Sequence, residues 1–262
     1  MPTDDLSPFL ERFERYIERY NQDTPEKQKI IDFKRKHSLE VLEEAKGIAR
    51  SIQLPARATF LVHIAALYHD LGRFDQFIRS KTFLDVRSLN HARLSIIALR
   101  RDGMLRELRP KEKAMVHSVI ILHNKRTLPQ ALNSKVGKLA SILRDADKLA
   151  NIPAVLMHFE QSFPNDTLLP LDLELDPVAY SHEIFLSVKS GGTVDYGDLR
   201  WINDLKLAAL GWANDLNFVF TCDEFLKRGY VEKLVKHLPE CSELLDLSNM
   251  INSRLRGGRK KG

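Results

Sequence analysis

The chain has 262 residues, a formal net charge of +5 and a hydrophobic content of 44%. This length fits one large domain or two small ones, and the composition argues against long disordered segments. No apolar stretch reaches the roughly 18 residues of a membrane span, and the acidic first residues lack the basic and apolar regions of a signal peptide. Two cysteines, Cys222 and Cys241, are too few for a metal cage or a disulfide framework. We therefore expect a soluble protein of the cytoplasm with no membrane partner.

The positive net charge comes from the last residues of the chain. These basic residues are Arg254, Arg256, Arg259, Lys260 and Lys261. They account for the whole net charge of +5, so the remaining body is neutral on balance. A nucleic-acid-binding protein usually carries a basic face on its folded body, so we do not expect nucleic acid as a main partner. We interpret residues 251–262 as a basic flexible tail.

Apolar residues recur at helical spacing through nearly the whole chain, which predicts an all-α protein. Ser7-Pro8 and Thr24-Pro25 are typical helix starts, and Leu54-Pro55 separates the second helix from the third. We predict that Gly72 ends this third helix.

The later segments are predicted in the same way. They are a helix from Asn90 to about Arg100, one from Pro110 to about Asn124, one from Val136 to Ala150, a loop from Phe163 to Pro177, and a long amphipathic helix from Trp201 to Phe220. We interpret the aromatic residues of the last helix as core residues and not as a platform for stacking bases.

Several histidines and aspartates lie on the apolar faces or in the end turns of these helices. They are His37, His69, Asp70, His91, His123 and Asp147. A single histidine on an apolar face is more often a hydrogen-bonded core residue than a metal ligand. An ionised aspartate there costs several kcal/mol unless a partner such as a cation compensates for its desolvation. Because helical bundles build metal sites from inward groups of several helices, the whole set indicates a divalent-metal centre.

Helical periodicity separates neighbouring candidates. Asp147 aligns with an apolar stripe, whereas Asp145 aligns with polar residues, so we place Asp147 inward and Asp145 on the polar face. His117 lies on another side of its helix and is left out of the set. Asp147 could instead form an ion pair with Arg144 or Lys148.

The ordered set of inward residues resembles the HD-domain superfamily of metal-dependent phosphohydrolases. The local contexts YHDLGRF and RDADKLA are similar to those of the family, and the resemblance covers residues 25–152. It implies an HD-type helical core over 25–152, with an N-terminal helix over 1–24 packing on it and a C-terminal helical extension over 153–250.

The resemblance also implies a ligand set. The residues implied for one divalent metal ion are His37, His69, Asp70 and Asp147. His91 and His123 match the positions that hold a second metal in binuclear members, with Asp70 bridging the two. Imidazole and carboxylate ligands suit Mn, Fe, Co, Ni or Zn, and with fewer histidines also Mg.

The implied activity is hydrolysis of a phosphoester in a small phosphorylated metabolite or nucleotide by a metal-activated water. Asp70 would bridge the metals, and Arg73 would reach a phosphate from a helix end, with Lys125 and Arg126 as further candidates. Each of these charges could also be a solvated surface residue. The chain departs from the cyclic-dinucleotide phosphodiesterase branch, because Asn124 follows His123 and the Gly-Tyr-Pro signature is absent.

Two other functions stay open at this point. They are a di-iron oxidoreductase that uses the same ligands and a non-catalytic metal-binding module. The C-terminal extension carries no motif with chemical content, and we expect it to cover the metal cleft or to form the face of a homodimer.

Overall fold

The computed structural model describes residues 4–80, 85, 90–160 and 173–257. Over these ranges the protein is helical, and an isolated bridge between Glu174 and Trp201 is the nearest approach to a β-strand. The prediction of an all-α protein is therefore confirmed. None of the helices in these ranges is long and apolar enough to cross a membrane.

The described residues up to Asp147 form one compact unit, and those from Lys148 onward form a second. The helices of the first unit are α1 (Ser7–Glu18), α2 (Pro25–Ser51), α3 (Ala56–Tyr68), α4 (Leu71–Ser80), α5 (His91–Arg101), α6 (Pro110–His123) and the first part of α7 (Ser134–Glu160). The second unit contains the rest of α7 and then α8 (His182–Lys189), α9 (Ile202–Gly211), α10 (Val219–Lys227), α11 (Tyr230–Val235) and α12 (Ser242–Gly257).

Helix starts in the first unit follow the local sequence signals. Proline suits a first helical position because its missing N–H has no helical partner there, and α2 and α6 begin at Pro25 and Pro110. The side chain of Asn90 caps α5 by accepting a hydrogen bond from the Arg93 N–H at 3.1 Å. The predicted bounds of α5 and α6 agree with the structure to within one residue.

Helix α1 packs on α3 and on the start of α4. The Tyr68 hydroxyl donates to the Phe9 carbonyl at 2.8 Å, and the Tyr16 hydroxyl donates to the Leu71 carbonyl at 3.2 Å. Phe9 also meets Phe60 edge to face, with ring centroids 5.5 Å apart. These buried contacts fix the backbone on both sides of the short segment that joins α3 to α4.

The junction of α3 and α4 differs from the prediction. The sequence predicts that Gly72 ends the third helix, but α3 ends at Tyr68 and Gly72 is the second residue of α4. A Cβ atom at Gly72 would lie 2.2 Å from the His91 carbonyl oxygen, so glycine is required for the close approach of α4 to α5. The buried Ser95 hydroxyl accepts from the Gly72 N–H at 2.8 Å and donates to the His69 carbonyl at 2.7 Å. His69 and Asp70 therefore lie at a corner that is held against α5.

Helix α7 is longer than predicted. It continues past Ala150 to Glu160 with Pro153 inside it, although a proline removes one helical hydrogen bond. Ile152 and Val155 on either side of the proline are buried, and this packing supports the helix. Most of the predicted loop from Phe163 to Pro177 lies outside the described residues.

The predicted single helix from Trp201 to Phe220 is wrong. Helix α9 ends at Gly211, a 3-10 turn covers Trp212–Asp215, and α10 begins at Val219. The Asn214 side chain in this turn donates to the Val188 carbonyl at 3.0 Å, a tertiary hydrogen bond that ties the turn to the end of α8.

The described part of the predicted tail is also corrected. Residues 251–257 are the end of α12, and Ile251 and Leu255 are buried there. The Arg254 guanidinium donates to the Asn214 side-chain oxygen at 3.0 Å. Apolar residues at helical spacing therefore decide the structure of this basic stretch. Residues 258–262 lie outside the described part of the chain.

The second unit has a hydrophobic core of its own, with Phe185 and Phe225 among its fully buried side chains. The buried Asp204 carboxylate joins the starts of α8 and α9. It accepts from the Ser181 N–H at 2.7 Å, from the Ser181 hydroxyl at 2.8 Å and from the Trp201 N–H at 2.9 Å. Asp204 is thus a structural cap.

Candidate metal centre

The six inward residues predicted from the sequence converge in the first unit. His37 lies in α2, His69 and Asp70 at the corner between α3 and α4, His91 at the start of α5, His123 at the end of α6 and Asp147 in α7. All are buried except Asp147, whose side chain is 23% exposed. Their ligand atoms form three overlapping groups, in each of which the atoms lie within 4.8 Å of one another. The groups are His37–His69–Asp70, His69–His123–Asp147 and Asp70–His91–His123.

The Asp70 carboxylate lies between two sets of imidazoles. Its Oδ2 atom is 3.8 Å from His37 Nε2 and 3.7 Å from His69 Nε2. Its Oδ1 atom is 3.5 Å from His91 Nε2. Each oxygen therefore faces a different set of ring nitrogens, which allows one carboxylate to serve two cations.

The Asp147 carboxylate faces the first of these sets. Its Oδ1 atom is 3.1 Å from His37 Nε2 and 3.7 Å from His69 Nε2. Lys148, the neighbour that could have paired with it, places its Nζ atom 2.8 Å from Asp215 Oδ2. Asp147 is thus directed at the cluster.

The hydrogen bonds of two rings decide their tautomers. His69 Nδ1 lies 2.7 Å from the Ala66 carbonyl oxygen, and His123 Nδ1 lies 2.5 Å from the Ile120 carbonyl oxygen. Because a carbonyl only accepts hydrogen bonds, Nδ1 carries the proton in both rings. In the neutral rings Nε2 then keeps its lone pair, which is the group that a metal ion binds.

His91 and His123 bring two such nitrogens together, with Nε2 to Nε2 at 3.0 Å. His91 Nδ1 donates to the Asp85 carboxylate at 2.7 Å, so in the neutral rings both Nε2 atoms are acceptors. Burial lowers the pKa of His123 to about 3, and burial together with Arg73 lowers the pKa of His91. Because both rings are neutral at pH 7, two lone pairs face each other, and a shared cation would remove this repulsion.

The two carboxylates of the cluster are ionised. Burial alone would raise the pKa of Asp70, but Lys34, His69 and Arg73 outweigh it and hold this pKa well below its usual range. Burial also opposes ionisation of Asp147, but its contacts with the imidazoles of His37 and His69 outweigh burial and hold the pKa of this carboxyl well below its usual range. Ionised carboxylates are the form that binds metal.

The donor set fits a divalent metal ion. It combines imidazole nitrogen with carboxylate oxygen, which suits Mn, Fe, Co, Ni or Zn. His69 Nε2 is buried within the cluster and has no hydrogen-bond partner in the described part of the chain. A buried polar atom without a partner is costly, and a bound cation would satisfy it.

The segment 35–152 matches the family model of the HD domain. This segment is an HD domain. The family prediction is therefore confirmed, and HD domains are in general metal-dependent hydrolases that bind divalent metals. Comparisons of the chain with curated proteins and with solved structures find no match.

Two charged residues beside the cluster of histidines and aspartates were not predicted from the sequence. Lys34 Nζ lies 3.3 Å from Asp70 Oδ2, and Asp85 Oδ2 lies 2.7 Å from His91 Nδ1. Lys34 precedes His37 by one helical turn, so the same periodicity could have found it. Asp85 lies between α4 and α5, where no periodic pattern points to it.

The predicted phosphate-binding residues lie at different distances from the cluster. Arg73 Nε is 3.5 Å from Asp70 Oδ1, and its Nη1 atom is 3.3 Å from Asp85 Oδ1. Lys125 and Arg126 follow the end of α6 and are exposed. The Lys125 side chain forms no ion pair within the described part of the chain, and its role in substrate binding stays a prediction.

The placement of Asp145 corrects the sequence analysis. The sequence predicts it on a polar face, but Asp145 is fully buried, with 0% exposure. Helix α7 is buried on every side from Ile142 to Ala146, so periodicity alone cannot distinguish an inward from an outward carboxylate there. Asp145 belongs to none of the three ligand groups within the described residues.

Arg144, the other residue that could have paired with Asp147, supports the end of α6. Its guanidinium donates to the His123 carbonyl at 3.2 Å, to the Arg126 carbonyl at 3.2 Å and to the Lys125 carbonyl. These bonds satisfy carbonyls that a helix end leaves without partners. Arg144 thereby holds the backbone that carries His123.

Proposed function

We propose that the chain is a metal-dependent phosphohydrolase that cleaves a phosphoester of a small phosphorylated metabolite or nucleotide. The observation that carries this proposal is the position of Asp70. In a buried cluster of an HD domain, its two oxygens face separate sets of imidazoles.

We assign the ligands according to the three groups. The residues assigned to a first ion are His37, His69, Asp70 and Asp147, and those assigned to a second ion are Asp70, His91 and His123. A bound divalent cation makes a water nucleophilic at neutral pH and neutralises charge on a phosphoryl group. The His69 and His123 rings are held by backbone carbonyls, so their Nε2 atoms need no rearrangement to serve as ligands.

The charges around the cluster suit a phosphorylated substrate. The carboxylates of Asp70, Asp85 and Asp147 and the cations of Lys34 and Arg73 give one net negative charge when the histidines are neutral. With one divalent cation bound, the net charge becomes positive, and with two it becomes more so. Such a site attracts a phosphate and repels it when the metal is absent.

Within this site we assign Arg73 and Lys34 to binding the phosphoryl oxygens. Both cations lie against Asp70, one beside each of its oxygens. The guanidinium of Arg73 can contact two oxygens of one phosphate, whereas the ammonium of Lys34 acts as a point charge. Lys125, which is exposed two residues past His123, is proposed to contact the part of the substrate that leaves.

The test is a phosphate-release assay on the full chain. Protein stripped with a chelator is supplied separately with Mn, Fe, Co, Ni, Zn or Mg and given a panel of nucleotides and sugar phosphates. We expect metal-dependent phosphate release that Asp70→Asn abolishes together with metal content. Asp23→Asn, at an exposed aspartate outside the cluster, is the matched control and should keep both.

Two outcomes would overturn the proposal. Full turnover by a folded Asp70→Asn variant would show that the cluster does not carry the reaction. Iron-dependent oxygen consumption with a polyol, without phosphate release from any member of the panel, would favour the di-iron oxidoreductase.

We also propose that the protein works in a reducing compartment, the cytoplasm. Neither Cys222 nor Cys241 forms a disulfide. An exposed thiol such as that of Cys241 persists best where thiols are kept reduced.

A further inference from the structure

The Asp85 carboxylate lies at the centre of a polar network behind the metal cluster. Its Oδ2 atom accepts from His91 Nδ1 at 2.7 Å and from Asn124 Nδ2 at 3.2 Å. Its Oδ1 atom accepts from Gln76 Nε2 at 2.9 Å and from Arg73 Nη1 at 3.3 Å. The donors come from α4, from the start of α5 and from the residue after α6. One carboxylate thus ties together three elements of the first unit.

The contact with His91 orients a proposed ligand. Asp85 bonds this residue twice, because its Oδ1 atom also accepts from the His91 backbone N–H at 3.2 Å. Since Nδ1 of the ring donates to the carboxylate, Nε2 keeps the lone pair and lies 3.5 Å from Asp70 Oδ1 and 3.0 Å from His123 Nε2. The alternative tautomer, or a flipped ring, would point a proton at these neighbours.

His91 differs from the other ligands in how its ring is held. His69 and His123 donate to backbone carbonyls, which no side-chain substitution removes. The ring of His91 is held by a charged side chain, and a carboxylate behind an imidazole raises the basicity of the ring more than a neutral carbonyl does. A second cation held by His91 would therefore depend on a residue that is not among its assigned ligands.

We propose that Asp85 is a positioning residue that sets the tautomer and the basicity of His91, so that binding of the second metal ion depends on it. The proposal rests on the metal ligands assigned under the proposed function. It does not depend on which reaction follows, because it concerns metal binding and the tautomer of His91 and not turnover.

The experiment is a titration of the chelator-stripped full chain with Mn²⁺ alone, by calorimetry and by electron paramagnetic resonance. We expect two bound equivalents in the unsubstituted protein and a spin-coupled signal when both are present. Asp85→Ala should weaken the second equivalent about 10- to 100-fold and remove the coupled signal, while the first equivalent is unchanged. Asp85→Asn keeps a hydrogen-bond acceptor without the charge. Its affinity for the second equivalent should lie between those of the unsubstituted protein and Asp85→Ala.

A double-mutant cycle separates positioning from general damage. In a His91→Ala background, Asp85→Ala should cause no further loss of metal affinity, because the ring on which it acts is gone. His117→Ala, at a histidine outside the cluster, is the control and should bind both equivalents. Circular dichroism and a thermal melt check that each variant is folded. In the metal-free protein, ¹⁵N-edited spectra of the imidazoles should show His91 leaving the Nδ1–H tautomer in Asp85→Ala only.

Three results would overturn the inference. In the first, Asp85→Ala binds both Mn²⁺ equivalents as tightly as the unsubstituted protein does. In the second, Asp85→Ala loses the same affinity for both equivalents. In the third, the unsubstituted protein binds a single equivalent. If the Asp85 variants behave as expected but no phosphoester is cleaved, the proposed function fails and the positioning role stands.

Discussion

Replacing Gly72 by alanine tests whether the close contact of α4 with α5 holds the corner that carries His69 and Asp70. A Cβ atom there would lie 2.2 Å from the His91 carbonyl oxygen and 2.6 Å from Ser95 N, whereas ordinary contact begins at 3.4 Å. The two helices would have to separate by about 1.2 Å, the difference between 3.4 and 2.2 Å.

The expected loss of stability follows from three contributions. Overpacking a well-packed contact costs about 1–3 kcal/mol, and the upper end applies because the obstacle is backbone. Weakening the hydrogen bond from the Gly72 N–H to Ser95 Oγ costs about 1 kcal/mol more. The higher helix propensity of alanine returns about 1 kcal/mol. The net loss is about 3 kcal/mol, or a fall in Tm of about 6–12 °C.

Thermal unfolding followed by circular dichroism measures this effect, with Gly137→Ala as the control. Gly137 is also helical, but its nearest contact for a Cβ is Leu132 Cβ at 3.8 Å, so this variant should be as stable as the unsubstituted protein or slightly more stable. Gly72→Ala should also bind less Mn²⁺, because His91 and Asp70 lie on the two sides of the strained contact. Equal melting temperatures for the two variants would refute the argument from close approach.

Three further predictions concern buried polar groups. Ser95→Ala removes the acceptor of the Gly72 N–H and should cost about 1–3 kcal/mol in urea unfolding, and an unchanged midpoint would contradict this. His123 has a folded pKa of about 3, below its unfolded value of about 6.5, so the unfolded chain binds the extra proton between these values. The metal-free protein should therefore lose stability as the pH falls from about 6.5 towards 3, and His123→Gln should flatten this dependence in thermal melts. Asp204→Ala removes the acceptor of the part-buried backbone N–H groups of Ser181 and Trp201 and should speed hydrogen exchange in α8 and α9, while exchange in α2 and α3 stays unchanged.

Local sequence signals were sufficient to predict the helix starts that capping and proline geometry determine. Pro25, Asn90 and Pro110 mark the starts of helices because capping and proline geometry act within one turn. The six inward residues of the cluster could be selected for a similar reason, since an imidazole or a carboxylate at an apolar position is visible in one helix at a time. That these residues converge in the tertiary structure was implied by the family resemblance and could not be predicted from the periodicity.

The misassigned residues all depend on neighbours that are distant in sequence. The sequence predicts Gly72 as a helix end, although what it provides is space for the His91 carbonyl, 19 positions away. The sequence predicts a polar face for Asp145, but α7 is buried on every side there. Asp85 lies in a connection without periodicity, so only the folded structure shows that it meets the His91 ring.

The metal cluster also bears on the stability of the fold. Two ionised aspartates, a buried His69 Nε2 without a hydrogen-bond partner, and two imidazole lone pairs 3.0 Å apart all lie within one small volume. The unpartnered nitrogen and the facing lone pairs are unfavourable in a protein interior unless a cation is present, and burial opposes ionisation of both aspartates although neighbouring side chains outweigh it. The surrounding contacts hold the arrangement regardless: Ser95 at the corner, Arg144 at the end of α6 and Asp85 behind His91. Because a bound cation would satisfy these groups, a divalent ion that binds the cluster would also stabilise the fold of the first unit.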